Sequence, residues 1–308
     1  MMNNSKTRFL CLLLSAALLG CGGSSSASDA NEPVSNDSGK NSETEEVKEE
    51  PKEEANTLTF EELTAVDNDQ CSIIIKSIEP DSMWGYTLKT VVENKSTDKT
   101  YMFSVESAAI NGIKTDPLFA TDVAAGKKAN ADITFASDAL KKNGIIDFTD
   151  IELVFRVYDN NDWSADPVAY ETVHVYPYGE DKAAQFVREP ASSDQVLVDN
   201  DQVSIIVTGY EPDSMWGYSV NLYLVNKTDK SLMYSVEEAS VNGFMADPFF
   251  ATSINGGKSS FTSLDWSDSI LEENGIESVE EIEFTIRVYE TENWTGEDII
   301  NETFTLNP

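Results

Sequence analysis

The octapeptide EPDSMWGY stands at residues 79–86 and returns, letter for letter, at residues 211–218. The flanking sequence repeats with it, since RVY at 156–158 recurs at 287–289. Roughly two positions in five are identical between the two copies, far more than chance alignment gives. The octapeptide is therefore doubled because a whole domain is doubled.

Each copy shows the period-two alternation of apolar and polar residues that is typical of β-strands. In IELVFRVY, residues 151–158, every second side chain from Ile151 to Val157 is apolar, which predicts one face turned to a core. Turn residues separate about seven such runs in each copy. A capping Ser and a final Asn-Gly predict one short helix per copy, at residues 137–144 and 267–275. The sequence thus predicts an all-β protein of two tandem immunoglobulin-like β-sandwich domains, each with one short helix.

The N-terminus has the features of an export signal. Two basic residues precede an apolar run, residues 9–19, that is too short to span a bilayer. The stretch LLGCG, residues 18–22, resembles the lipobox of bacterial lipoproteins, which implies that the Cys21 thiol is diacylated after cleavage. Acyl chains hold a protein at a membrane without a spanning helix. We therefore predict a lipoprotein signal peptide at residues 1–20; the alternative is an ordinary secretory signal in which Cys21 has no role.

A tether rich in Ser, Asn, Glu and Lys follows the lipidated cysteine. It carries almost no large apolar side chain, so burial cannot offset the entropy lost on folding, and we predict disorder. Between the two copies, Phe186 and Val187 are candidates to pack between the domains. The predicted organisation is a disordered tether at 21–57, repeat 1 at 58–178, a linker at 179–190 and repeat 2 at 191–308.

Charge and residue counts exclude several classes of function. With 55 acidic and 21 basic residues the net charge is -34, so the chain repels the backbone of DNA and RNA. His174 is the single histidine, which argues against a Ser-His-Asp triad and a zinc site. Cys71 aligns with Val203 and is predicted to be a buried apolar side chain. We predict no enzyme and no nucleic-acid partner.

Several motifs together resemble a known type of domain. They are EPDSMWGY, the N-K-[ST] turn, MxSVExAxxNGxxxDPxFAT and IExxxRVYxxxxW, and they cover both copies. The combination resembles a recurring domain of uncharacterised lipoproteins from anaerobic Gram-positive bacteria (Firmicutes). It is more loosely similar to the immunoglobulin-like domains of the mycobacterial immunoprotective extracellular protein family. The resemblance implies an exported, non-catalytic binding or structural role, and it transfers no site residue.

The repeated octapeptide supplies the first candidate ligand contacts. Trp84 and Trp216, with Tyr86 and Tyr218 two residues on, offer flat surfaces for sugar rings or a partner protein. The alternative is that each Trp closes the end of its sandwich core. The sequence favours that alternative, because a Trp near the start of a strand usually packs.

A second aromatic pair, Trp163 and Trp294, recurs after the RVY motif. If the same end of the sandwich carries both Trp84 and Trp163, the two rings form one groove per domain. Nearby on the strand, Arg156 and Arg287 either pair with a neighbouring acid or contact an anionic partner group. The acidic surface favours the internal pair.

The acidic loop DNNDWSAD, residues 159–166, raises the question of calcium. Its oxygen ligands are of the type that Ca²⁺ prefers. The spacing lacks the Gly turn and closing Glu of an EF-hand, and the second copy reads ETENWTGED, so a solvated acidic loop is favoured. No cofactor is predicted, and calcium stays the alternative, with these candidate ligands: Asp159, Asn161, Asp162 and Asp166.

These observations predict a lipid-anchored, non-enzymatic protein on the extracellular face of a Gram-positive cell membrane. Its two immunoglobulin-like modules would bind a surface protein or a polysaccharide. One alternative is an envelope structural or assembly protein without small-ligand recognition. The other, a carboxylate-based envelope hydrolase, requires two carboxylates facing each other in a pocket.

Overall fold

The computed structural model describes residues 57–308. The predicted signal peptide at 1–20, Cys21 and nearly all of the predicted tether lie outside the described residues. The described part of the chain is all-β with two short helices, as the sequence predicts. Within residues 57–308, no helix has the length and apolar character needed to cross a membrane.

Repeat 1 folds into two antiparallel sheets that enclose one core. Its elements are β1 (Leu63–Asp67), β2 (Cys71–Ser82), β3 (Gly85–Asn94), β4 (Tyr101–Ile110), β5 (Ile113–Thr115), β6 (Ala120–Val123), β7 (Lys128–Phe135), α1 (Ser137–Lys142), β8 (Ile151–Asp159) and β9 (Ala169–Val175). The first sheet has the order β1-β2-β3-β7. The second has the order β5-β4-β8-β9, with β6 also paired to β4.

Repeat 2 has the same elements in the same order. They are β10 (Gln195–Asp199), β11 (Val203–Ser214), β12 (Gly217–Asn226), β13 (Leu232–Val241), β14 (Phe244–Met245), β15 (Ala251–Ile254), β16 (Ser259–Trp266), α2 (Asp268–Glu273), β17 (Ile282–Glu290) and β18 (Ile300–Leu306). The first sheet is β10-β11-β12-β16, and the second is β14-β13-β17-β18 with β15 beside β13. Short 3₁₀ turns, Glu180–Lys182 and Thr291–Asn293, complete the described elements.

The core of repeat 1 forms where the alternation in β8 predicts it. Leu153 and Phe155 are fully buried and share one cluster with Ile73 and Leu88 of the first sheet. Burying a side chain of this size contributes about 1.5–3 kcal/mol. Two sheets closed over a shared apolar layer make a β-sandwich, an architecture compatible with the predicted immunoglobulin-like domain.

The two helices differ at their first residue. In α2 the Ser267 hydroxyl accepts the N–H of Ile270, as a capping Ser should. In α1 the predicted capping residue, Ser137, lies inside the helix, and Ala136 occupies the capping position without a side-chain hydrogen bond. The predicted Ser cap is therefore correct for α2 and wrong for α1, because the residue that aligns with Ser267 is Ala136 and Ser137 lies one position further on.

The two repeats are joined by a sheet that runs from one to the other. Strand β16 lies parallel to β5, and the Ser259 N–H donates to the Gly112 carbonyl at 3.0 Å. The apolar core of repeat 1 extends to Tyr223 on the outer face of the first sheet of repeat 2. The Tyr223 ring lies 4.8 Å from that of Phe261 on the same face. We call this contact region the junction.

The linker contributes to the junction. Phe186 packs edge-on against Phe261, with 5.9 Å between ring centroids. The Arg188 guanidinium lies 5.6 Å from the centre of the Tyr223 ring. Val187, which the sequence also offered as a packing residue, is exposed. The linker therefore covers the aromatic face of repeat 2 with one aromatic and one cationic side chain.

Polar contacts complete the junction. The Lys258 ammonium of repeat 2 donates to the Glu152 carboxylate of repeat 1 at 2.6 Å. The Asn255 amide donates to the Ser107 hydroxyl at 2.9 Å. These side chains line a small polar cavity of about 200 Å³ between the repeats. The junction thus combines strand pairing, apolar packing and an ion pair.

Candidate functional site

The repeated octapeptide forms the tip of a hairpin. Strands β2 and β3 pair as far as Ser82 and Gly85, which leaves Met83 and Trp84 as the two residues of the turn. The Ser82 hydroxyl donates to the Gly85 carbonyl at 2.7 Å and accepts the Trp84 N–H at 3.3 Å. In repeat 2, β11 and β12 make the same turn. We call the segments 82–85 and 214–217 the Met-Trp tips.

Glycine is required at the end of each tip. Gly85 has φ +117° and Gly217 has φ +106°, a region that other residues rarely adopt. A Cβ on Gly85 would lie 2.2 Å from the carbonyl oxygen of Phe135, and one on Gly217 would lie 2.3 Å from that of Trp266. The glycines of the octapeptide therefore let the hairpin approach the neighbouring strand.

The indoles of the Met-Trp tips are exposed. Trp84 is 76% and Trp216 is 69% accessible to solvent, and the adjacent Met83 and Met215 are still more exposed. The preference for a packed Trp that the sequence indicated is therefore wrong. The reason is that each Trp lies in the turn, beyond the last strand pair, whereas Pro80 and the residue after it continue β2 instead of forming the turn.

The two tyrosines of the octapeptides are not available as ligand platforms. Tyr86 and Tyr218 are each 6% exposed, so their assignment to the binding surface is wrong. Both follow the tip on the inward face of the strand, and Tyr86 packs on Phe148 with 4.5 Å between ring centroids. Burial raises the pKa of Tyr218 to about 12. Of the octapeptide aromatics, the tryptophans alone face solvent.

The second pair of tryptophans lies at the other end of each sandwich. Trp163 and Trp294 are exposed in the loops that follow β8 and β17. Strand β3 starts at the Met-Trp tip and ends at Asn94, and the chain then turns into β4, whose first residue pairs with Asp159 at the end of β8. The predicted groove between Trp84 and Trp163 is therefore not formed.

An arginine holds each of these distal loops. Arg156 donates to the Trp163 carbonyl at 3.0 Å, and its guanidinium lies 4.4 Å from the Tyr158 ring centre. Arg287 repeats the arrangement and also binds the Asp298 carboxylate at 2.9 Å. This pairing lowers the pKa of Asp298. For Arg287, the predicted internal ion pair is confirmed.

The acidic loop after β8 uses its side chains to support its own backbone. Asp159 accepts the Asn161 N–H at 3.0 Å and pairs with Lys99 at 3.1 Å, and both contacts lower the pKa of Asp159. Asp162 accepts the hydroxyl of Ser164. In residues 57–308, no three acidic, histidine or cysteine side chains are arranged to hold a metal ion. The structure therefore does not assemble the calcium ligands considered for this loop, which included Asp166.

His174, Cys71 and the paired carboxyl groups make contacts that stabilise the fold. The His174 Nδ1 lies 2.7 Å from the Asp150 carboxylate, and its ring stacks on Tyr176. Cys71 is fully buried, as predicted, and burial raises its pKa to about 11, which disfavours a reactive thiolate. Among residues 57–308, five carboxyl groups have a lowered pKa because basic side chains or other hydrogen-bond donors bind them: Asp159, Asp194, Asp199, Glu211 and Asp298.

A groove on repeat 2 is a feature that the sequence analysis missed. It has a volume of about 550 Å³ and lies between β11, α2 and the end of β18. The signal for it was present in the alignment, because Phe148 of repeat 1 corresponds to the smaller Val279 of repeat 2. Its apolar lining is formed by Tyr210, Tyr218, Leu271, Ile276, Val279 and Pro308.

Comparison with known proteins finds no matching family model and no matching curated protein. Among solved structures, a protein of unknown function from Porphyromonas gingivalis W83 aligns over 72% of this chain and 91% of its own, at 13% identity and TM-score 0.21. Red sea bream transglutaminase aligns over 79% of this chain and 31% of its own, at 11% identity and TM-score 0.21. The Amycolatopsis orientalis exo-chitosanase CsxA aligns over 75% of this chain and 26% of its own, at 11% identity and TM-score 0.20. Likenesses this weak carry no argument about function.

Proposed function

We propose that the protein is a non-catalytic, lipid-anchored protein of the extracellular envelope face that binds a surface protein or polysaccharide through its Met-Trp tips. The observation that carries this proposal is the exposure of Trp84 and Trp216 at the same turn in both repeats. A partner that covers one indole removes roughly 150–250 Å² from water, a gross gain of about 4–6 kcal/mol before the costs of association.

The chemistry of the tips narrows the class of ligand. A flat indole face stacks on sugar rings and on apolar protein surfaces, and the flexible thioether of Met83 or Met215 adapts to either. The net charge of -34 disfavours polyanionic partners such as teichoic acids. A neutral polysaccharide or a protein surface fits both the tips and the charge.

The anchor and the duplication support the same role. Acylation at Cys21, inferred from LLGCG, would hold the protein at the membrane, and a tether would let the repeats reach into the envelope. Two tips on one anchored chain raise the apparent affinity for a ligand that repeats along a polymer or an array. The proposal therefore places the binding surface away from the membrane attachment.

The test is binding of the full chain to purified peptidoglycan, neutral polysaccharides, mucin and envelope surface proteins. We expect Trp84→Ala and Trp216→Ala to weaken binding to the recognised class at least about 30-fold when combined, because a central Trp commonly contributes about 2 kcal/mol or more. Circular dichroism checks that both variants fold.

The matched control is Trp163→Ala with Trp294→Ala, which removes two indoles of similar exposure at the opposite ends of the repeats. Binding should stay within about threefold of the unaltered chain, because these indoles lie away from the proposed contacts. Equal losses of affinity in both double variants would mean that exposed indoles bind non-specifically and that the tips are not the recognition site. A full chain that binds none of the four ligand classes would overturn the proposal.

A second candidate, an envelope assembly protein, is favoured by another exposed apolar pair. Phe244 and Met245 take the positions that Ile113 and Lys114 hold in repeat 1, where Lys114 donates to Thr252 across the junction. In repeat 2 both side chains are exposed. Such a surface would suit packing on a further domain, with no recognition of a small ligand.

A further inference from the structure

The apolar floor of the groove on repeat 2 has a filled counterpart in repeat 1, whereas the side of the groove next to the Met-Trp tip and the helix is open in both repeats. In repeat 1, Phe148 is buried between Tyr86 and Phe135, with ring centroids at 4.5 Å and 6.4 Å. In repeat 2 the smaller Val279 stands at the position of Phe148. The difference of one ring leaves an apolar floor open to solvent.

The chain that follows β9 also fills the counterpart in repeat 1. Pro177 is buried there, and its carbonyl accepts the N–H groups of Thr59 and Phe60. The next residue, Tyr178, is half-buried, and its pKa is raised by burial and by the nearby carboxylates of Asp147 and Asp81. Repeat 1 therefore accommodates an extended Pro-Tyr segment at this place.

The open groove has a different charge from its counterpart. Its rim carries Asp213, Asp268, Glu272 and Glu277, and no lysine or arginine is among the residues that line it. In repeat 1 the position that aligns with Glu272 is occupied by Lys141 of α1. Four carboxylates around an apolar floor complement a ligand that is both cationic and apolar.

A tyrosine ring also lines the groove. Tyr218 is 6% exposed, and burial raises its pKa to about 12. Its ring adds to the apolar floor on which an aromatic side chain of a ligand can pack.

We propose that this groove binds an extended, basic segment of a partner protein that carries an aromatic side chain. The aromatic ring occupies the space that Phe148 fills in repeat 1, and the flanking basic residues pair with the acidic rim. This goes beyond recognition by the Met-Trp tips, because the tips are common to both repeats whereas the open apolar floor belongs to repeat 2.

The test measures fluorescence anisotropy of a labelled peptide, acetyl-Gly-Lys-Pro-Tyr-Lys-Gly-amide, titrated with the full chain. We expect saturable binding that weakens at least about tenfold when both lysines are replaced by Glu, and about tenfold when the Tyr is replaced by Ala. Equal binding of the basic and acidic peptides would overturn the proposal, as would no binding. The acidic peptide also tests whether the Glu-rich stretch of this chain before residue 57 could occupy the groove.

Two variants locate the binding. Val279→Phe restores the ring found in repeat 1 and should reduce affinity at least about tenfold. Glu272→Lys, an exposed substitution that does not threaten folding, should reduce it about fivefold. The control Glu302→Lys makes the same charge change on β18 outside the groove and should stay within about twofold. Unchanged affinity in Val279→Phe and Glu272→Lys would overturn the assignment.

The outcome separates this proposal from that of the Met-Trp tips. Trp84→Ala with Trp216→Ala should leave peptide affinity within about twofold, because neither indole lines the groove. Loss of peptide binding in that variant would move the peptide site to the tips and overturn the groove. Sedimentation must show a monomer throughout, since dimerisation abolished by Val279→Phe would make a second copy the occupant.

Discussion

The outer faces of the two first sheets differ between the repeats. In repeat 2 this face carries Tyr223 and Phe261, and the core of repeat 1 extends onto it. At the matching positions repeat 1 has Val91 and the exposed Asn130. The same fold thus has an aromatic face where another domain covers it and a more polar face where none of the described residues does. The junction is therefore encoded in a few substitutions on a shared scaffold.

The largest effect should come from removing the aromatic contact. We expect Tyr223→Ala to lower the free energy of unfolding by about 3 kcal/mol, because the ring is almost fully buried at the junction. The matched change Val91→Ala should cost about 0.5 kcal/mol, since that side chain lies on the uncovered face. Urea unfolding of the full chain measures both. Similar losses would mean that the junction contributes no stability.

A smaller effect is expected from breaking the ion pair of the junction, which a comparison of two aligned lysines tests. Lys258 pairs with Glu152, and these side chains are 17% and 15% exposed. Lys258→Ala should cost about 1–2 kcal/mol, because it leaves a shielded carboxylate without that partner. Lys127, its counterpart in repeat 1, is exposed, so Lys127→Ala should cost less than about 0.5 kcal/mol. Equal costs, measured by urea unfolding, would contradict a role for the pair.

The smallest effect concerns pH and the linker. Asp194 binds Arg188 through both oxygens at 2.6 Å and 2.7 Å, which lowers the pKa of Asp194. A lowered folded pKa gives stability that is complete above the unfolded value of about 4 and is lost as pH falls through the folded value. Asp194→Asn should therefore cost about 1 kcal/mol at pH 7 and progressively less below pH 4.

The control for that titration is the unaltered chain, whose stability should fall more steeply with acid than that of the variant. Thermal unfolding followed at pH 7, 5 and 3 supplies both curves. A constant difference between the two proteins across this range would mean that the Asp194 carboxylate is not the titrating group.

Much of the fold could be predicted from the sequence because it depends on periodicity within each copy. The alternation in β8 correctly placed Leu153 and Phe155 in the core, and the doubled octapeptide gave the number of repeats. The junction could not be read in the same way. It depends on which strand of one copy meets which face of the other, and the aligned pair Tyr223 and Val91 shows that contact only after the structure is known.

The candidate sites were also predictable only in part. The exposure of Trp84 was not predictable, because its position one residue inside or outside a strand end decides between core and solvent. The burial of Tyr86 follows from that same register. The groove depends on the smaller Val279 at the position of Phe148, a difference that the alignment shows but whose effect depends on which rings pack there. The sequence could predict which residues are candidates, but not whether their side chains face the core or the solvent.

The strand pairing between Ser259 and Gly112 has a consequence for recognition. Modules on a flexible linker adjust their separation to any ligand and lose entropy when both are bound. Here the pairing of β16 with β5 and the apolar contact of Tyr223 with the core of repeat 1 hold the two sandwiches together, so the distance between Trp84 and Trp216 is set before any ligand arrives. A polymer whose binding units repeat at that distance engages both indoles without this entropic cost, whereas one with another period engages a single indole. The protein would therefore select its ligand by spacing as well as by chemistry.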